Sequence, residues 1–355
     1  MKRVRLIGLA FATALMCAVP FAESSSEQPH SPRTEIGGSP LARAKVWLPT
    51  DIPSIDIRVG PTSTGSFEPD ATLTCDYVDK KLGGSSPKFA CRLPDGEVMK
   101  VKYGSANGEV YAEVAASRLL WALGFGADRM YPVQVICRGC PEKVGGILSE
   151  NGDRFIYPAA IERKFPGREI AEEWNWENLR LMDESTGGAT RAERDAFKLL
   201  AVFLQHTDSK SKNQRVVCLE DTPGEECQLP FILIQDLGLT FGKANALNQQ
   251  HRGSVNLMEW AAVPIWKGTH GCVGDLSSSW TGTLHDPVIS EEGRQFLADL
   301  LTQLSDGQIR GLFETARVQL RLRAPDRAGS GLPSVDEWVA VFKQKREQIV
   351  ERRCN

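Results

Sequence analysis

The chain has 355 residues, 41% of them apolar and 25% charged, enough for one large domain or two lobes with a sizeable core. Its formal net charge is −3, and no long Lys/Arg run occurs, which argues against a basic nucleic-acid-binding surface. After the first residues no stretch is long and apolar enough to span a bilayer.

The amino terminus reads as an export signal. "MKRVR" is basic, "LIGLAFATALMCAVPFA" is apolar and "ESSSEQPHSP" is polar, the three-part layout of a secretory signal peptide over residues 1–22. Cleavage near Ala22 would put Pro20 at a position that favours small residues. Lipid attachment at Cys17 is disfavoured by the bulky Met16 before it. The expected destination is the periplasm or the extracellular space. Residues 23–43, rich in Ser, Pro and Gly, are expected to be a disordered leader.

From Ala44 the pattern is β-rich. "KVWL", "IDIRV", "ATLTCDYV", "KFACRL" and "EVMKVKY" are short runs separated by turn residues, and Asp95-Gly96 is a hairpin turn between the last two. The period then changes. "NGEVYAEVAASRLLWALGFG" is helical, with Glu109 and Glu113 one turn apart and Gly124 as a stop. "RMYPVQVIC" and "DRFIYPAAIE" read as strands. Trp174 and Trp176 are placed in an acidic helix, packing inward. After Pro166 helices dominate. Capping boxes are expected at Thr190 with Glu193, Ser305 with Gln308, and Ser334 with Glu337. The fold class is therefore α+β, with a β-rich part over 44–165 carrying one helix and a helical part over 166–355.

Nine cysteines are present, and removal of Cys17 leaves an even number in an exported chain, which favours disulfides. Cys75 and Cys91 sit on neighbouring strands. Cys218 and Cys227 flank the turn-rich "DTPGE" and would staple a hairpin. Cys137, Cys140, Cys272 and Cys354 have no assigned partners. "CRGC" admits a disulfide, a zinc knuckle or a redox pair.

The chemistry concentrates in "HTDSKSKN" from His206 and "IQDLG" from Ile234. Asp208 and Asn213 lie five apart in a loop after a helix, and Asp236 follows a buried-looking strand, with Gly238 allowing a sharp turn. Carboxylate and amide oxygens are hard ligands suited to Mg2+ or Mn2+. Two acids, an amide and the cation of Lys210 are the groups phosphoryl transfer requires. His206 is expected to be a packed, hydrogen-bonded residue.

"HTDSKSKN" resembles the catalytic loop H-R-D-x-K-x-x-N of protein kinases, and "DLG" resembles D-F-G. The order of a small β-rich lobe before a helical lobe is similar too. The departures are Thr207 for Arg, Leu237 for Phe, no G-x-G-x-x-G and no A-P-E, which points to an atypical branch such as HipA-like, phosphatidylinositol-kinase-like or secreted kinase-like proteins. The resemblance implies a two-lobed fold that binds ATP with Mg2+ or Mn2+. Asp208 would be the catalytic acid/base, Lys210 would contact the transferring phosphate, and Asn213 and Asp236 would bind metal. It also requires a strand lysine paired with a helix glutamate. These are assigned to Lys102, with Lys100 as alternative, and to Glu113, with Glu109 as alternative. Gly83 and Gly84 would cover the phosphates. The acceptor would be a protein, lipid or small hydroxyl compound. An AMP-transferring relative and an inactive kinase-fold scaffold are the competing readings. The absence of Gly-x-Ser-x-Gly leaves a Ser-His-Asp hydrolase little support.

Overall fold

The computed structural model describes residues 39–354 except 64, 171–173, 221–225, 246–252, 278–280 and 322–331. The expected signal peptide and most of the expected leader lie outside these residues. Residues 38–355 pack as one unit, a mixture of strands and helices.

The chain enters through α1 (Pro40–Arg43), capped by Ser39, with Leu41 buried. The end of the expected leader is thus ordered, because Leu41 has a core to join. β1 (Ala71–Val78), β2 (Lys88–Arg92) and β3 (Val98–Tyr103) follow. "IDIRV" is not a strand. The Asp56 carboxylate accepts the N–H groups of Arg58 and Val59, and Gly60 N–H donates to the Asp56 carbonyl, so the segment folds as a turn. "KVWL" contributes only isolated bridges from Lys45 and Trp47.

After α2 (Glu109–Ala122) come β4 (Gly126–Ala127), β5 (Arg129–Arg138), β6 (Ile147–Leu148) and β7 (Arg154–Arg163). The first sheet runs β3-β2-β1-β5-β7-β6, and β3 also pairs with β7. Strands β1, β2, β3, β7 and β5 therefore close into a barrel, in which β1 and β5 are parallel. The inward positions of its alternating strands supply Phe89, Cys91, Met99, Val101, Tyr131, Val133, Val135 and Ile161. Lys100 and Lys102 fall on the opposite face. α2 packs against β5, β7 and β3. Ala112, Ala115, Ala116 and Ala122, all buried, let it approach closely.

A second sheet has the order β4-β10-β9-β8, from β8 (Arg168–Ile170), β9 (Gln214–Cys218) and β10 (Pro230–Ile234). Helices α3 (Arg191–Leu204), α4 (Leu257–Ala262), α5 (Glu291–Thr302), α6 (Asp306–Ala316) and α7 (Val335–Glu351) complete the fold. All three expected capping boxes form, at the starts of α3, α6 and α7. Trp174 precedes a 3-10 helix rather than lying in an α-helix, and both it and Trp176 pack at a tilt against Phe197 in the core.

Four cysteine pairs stand at disulfide distance: Cys75–Cys91, Cys137–Cys140, Cys218–Cys227 and Cys272–Cys354. The two pairings expected from strand geometry are among them, and "CRGC" closes on itself.

Candidate active site

Lys102 is the centre of the site. Strand alternation puts it on the outer face of the barrel, and α2 covers that face. Only 2% of Lys102 is exposed. Its ammonium donates to Glu113 Oε1 at 2.6 Å and to Glu109 Oε2 at 2.7 Å. Both helix acids reach it because they are one turn apart on a single face. Burial opposes the charge on Lys102, but Glu113, Asp236 and Glu109 outweigh that and hold it above the ordinary lysine value. Lys100, the alternative lysine, points to the same face but pairs with Glu162 on β7.

The loop between β1 and β2 reaches this cluster. Ser86 Oγ donates to Glu109 Oε2 at 2.7 Å, and Lys88 Nζ donates to Ser86 Oγ at 3.0 Å. Gly84 has φ +80°, and Gly83 has no neighbour that a Cβ would meet. Both glycines are exposed. Neither Ser86 nor Lys88 was expected. Lys88 is the direct cross-strand partner of Lys102, a placement obtainable by counting back from the Asp95-Gly96 turn.

The second half of the site hangs on β9 and β10. Gln214 pairs with Ile234 across that hairpin, so Asn213 and Asp236 flank its adjoining ends. The Gln235 N–H donates to the Asn213 carbonyl at 2.8 Å, and the Thr207 N–H to the Leu239 carbonyl at 3.2 Å. The two motif segments are therefore held together along the backbone. Asn213 Nδ2 donates to the Asp208 carbonyl at 2.9 Å and to its Oδ2 at 3.0 Å. Lys210 forms an ion pair with the same Oδ2. The backbone carbonyl of Ser209 accepts from Thr283 Oγ1 at 2.9 Å, and Ser209 Oγ accepts the Leu284 N–H. That later segment steadies the loop, and no sequence signal indicated it.

Asp236 joins the halves. Burial alone would raise its pKa, but Lys102 and the Gly238 N–H, which donates to Oδ1 at 3.0 Å, hold it at about 2. It is a carboxylate at neutral pH. Gly238 does not adopt a left-handed conformation. It must be small because a Cβ there would lie 2.7 Å from Glu109 Cγ and 3.1 Å from Asp236 Oδ1. The glycine therefore serves a close approach and turns without a left-handed conformation.

His206 is fully buried, with both ring nitrogens lacking a hydrogen-bond partner among the described residues. Among the described residues the ring thus lacks the expected hydrogen bond. Burial lowers its pKa to about 4, against the pull of Asp236 and Asp208, so it is neutral at pH 7.

An ionised carboxylate at Asp236 and an amide oxygen at Asn213, with Asn213 Nδ2 committed to Asp208, are hard oxygen donors of the kind that would suit Mg2+ or Mn2+. Among the described residues no group of three or more His, Cys, Asp or Glu side chains stands at metal-binding spacing. The protein's share of such a shell would be these two donors.

No protein-family model matches the chain, and no curated protein matches it. Among solved structures it is similar to the Helicobacter pylori proinflammatory kinase CtkA, at 11% identity, covering 80% of this chain and 96% of that one, with a TM-score of 0.44. At so loose a superposition, any functional reading rests on the side chains themselves.

Proposed function

We propose that the protein is an exported, kinase-like phosphotransferase that uses ATP and Mg2+ or Mn2+ to phosphorylate a hydroxyl-bearing protein, lipid or small molecule. The observation that carries this is the buried Lys102–Glu113 ion pair, within electrostatic reach of Asp236, whose strand is bonded to the Asp208–Asn213 loop. A lysine oriented by a helix acid, an ionised aspartate and an acid–amide loop are the groups needed to hold a triphosphate and orient an attacking hydroxyl. In this reading residues 44–165 form a β-rich lobe and 166–355 a helical one.

Lys102 grips the phosphates and Glu113 fixes its direction. Gly83 and Gly84 allow the loop backbone to approach them. Asp236 and Asn213 hold the divalent ion, which neutralises phosphate charge when bound. Asp208 accepts the proton of the acceptor hydroxyl, and Lys210, now on the Asp208 carboxylate, turns to the transferring phosphoryl group. Four cystine pairs at bonding distance support an oxidising compartment.

The test is a thermal shift of the mature protein with ATP and Mg2+ or Mn2+, followed by labelling. Ligand at 100 times Kd should stabilise by about 2.7 kcal/mol. Label from the γ-phosphate should enter an acceptor or the protein itself. Asp208→Ala should abolish incorporation while leaving the melting curve in place. Transfer of α-phosphate label would assign AMP transfer instead. Neither a shift nor labelling with any nucleotide would assign a scaffold.

A further inference from the structure

Glu109 is not required to orient Lys102, since Glu113 already does so at 2.6 Å from the buried side of α2. Yet one oxygen of Glu109, Oε2, accepts from Lys102 Nζ and from Ser86 Oγ, each at 2.7 Å. Its side-chain carbons also lie against Gly238, beside Asp236. A single carboxylate thus touches the strand lysine, the glycine-bearing loop and the Asp236 segment. These are the three parts that would surround a phosphate. Lys88, donating to Ser86 at 3.0 Å, extends the contact.

From this geometry we infer that Glu109 is an internal stand-in for the phosphate. In the ligand-free protein it occupies the Lys102 ammonium and latches the loop shut through Ser86, so a nucleotide must displace it to bind. This rests on the nucleotide-binding reading above, and it makes Glu109 a residue that weakens nucleotide affinity. A merely structural acid at this place would strengthen it.

The experiment is titration of the wild type, Glu109→Gln and Ser86→Ala with Mg·ATP by calorimetry, alongside amide exchange over residues 83–88. Glu109→Gln should bind about tenfold more tightly, as the closed fraction no longer reduces apparent affinity. Ser86→Ala leaves every charge in place; it should also bind more tightly and exchange faster in the loop. Binding by Glu109→Gln that equals or falls below a measurable wild-type affinity overturns the latch and leaves the nucleotide reading standing. If Glu109→Gln does not fold, Ser86→Ala decides, with unchanged affinity overturning the latch. No binding by any of the three overturns both. Binding by the variants alone supports both.

Discussion

Lys102 is held by carboxylates on one side and by the barrel on the other, which makes its removal more costly than an exposed ion pair would suggest. Lys102→Met leaves Glu113, itself 2% exposed, without its cation. The expected loss is about 3–5 kcal/mol in urea unfolding. Adding Glu113→Leu should recover part of it, since the most buried of the stranded acids is then removed while Asp236 and Glu109 still lack their cation. A double variant no more stable than Lys102→Met would show that the ion pair itself, rather than the stranded acid, carries the stability. His206 gives a pH signature. Its folded pKa, about 4, lies below the unfolded value of about 6.5. The unfolded chain therefore binds the extra proton first as pH falls. The stability of a neutral His206 is complete above pH 6.5 and is lost between 6.5 and 4, reaching about 3 kcal/mol. His206→Phe should flatten that slope between pH 7 and 4.5. An unchanged slope would assign the acid sensitivity to other groups. At this scale the sequence was most readable in the one loop over 208–213, because the close spacing of Asp208, Lys210 and Asn213 survives folding as mutual contacts. It was least readable at Ser86, whose place depends on a loop with no register to count.

Elements were legible where a local rule sets them. The capping boxes of α3, α6 and α7 each need only four residues, and each formed. The Asp95-Gly96 turn, with Gly96 at φ +90°, set the β2–β3 register. "IDIRV" misled because its alternation suits a strand, whereas the Asp56 side chain closes the backbone on itself. Lys102 was assigned ahead of Lys100 from the sequence, but what separates the two physically is α2 and Glu162 of β7, about sixty residues further along, which no local pattern reveals. Loop length ranks the cystine pairs. Cys272–Cys354 spans 82 residues and Cys137–Cys140 spans 3. In the chain-entropy account the first stabilises by up to about 4.5 kcal/mol and the second by about 2. Cys272→Ala/Cys354→Ala should therefore lower Tm more than Cys137→Ala/Cys140→Ala in non-reducing scans. The reverse order would mean that the CRGC closure braces β5 directly.

Over the whole molecule, the helices meet the barrel at the end of α6. Arg317, in a left-handed conformation with φ 58°, ends that helix and donates to the Val133 and Ala159 carbonyls at 3.4 Å, with Asp70 as its ion-pair partner. Arg317→Gly keeps the backbone turn permissible and deletes the guanidinium. It should cost about 1–3 kcal/mol and speed amide exchange in β5 and β7 before α3 or α5. Uniform exchange would show that the two parts open together. Barrel closure was the least foreseeable feature, because β1 and β5 pair in parallel across more than fifty residues of chain. Within the ring each strand has a partner on both sides, so the described part of this sheet presents little bare rim to which a second copy could add a strand. The short β6, with Ile147 and Leu148 outward, is a place on it where such growth could begin. A charge introduced at either position should therefore protect concentrated protein from association without touching the fold.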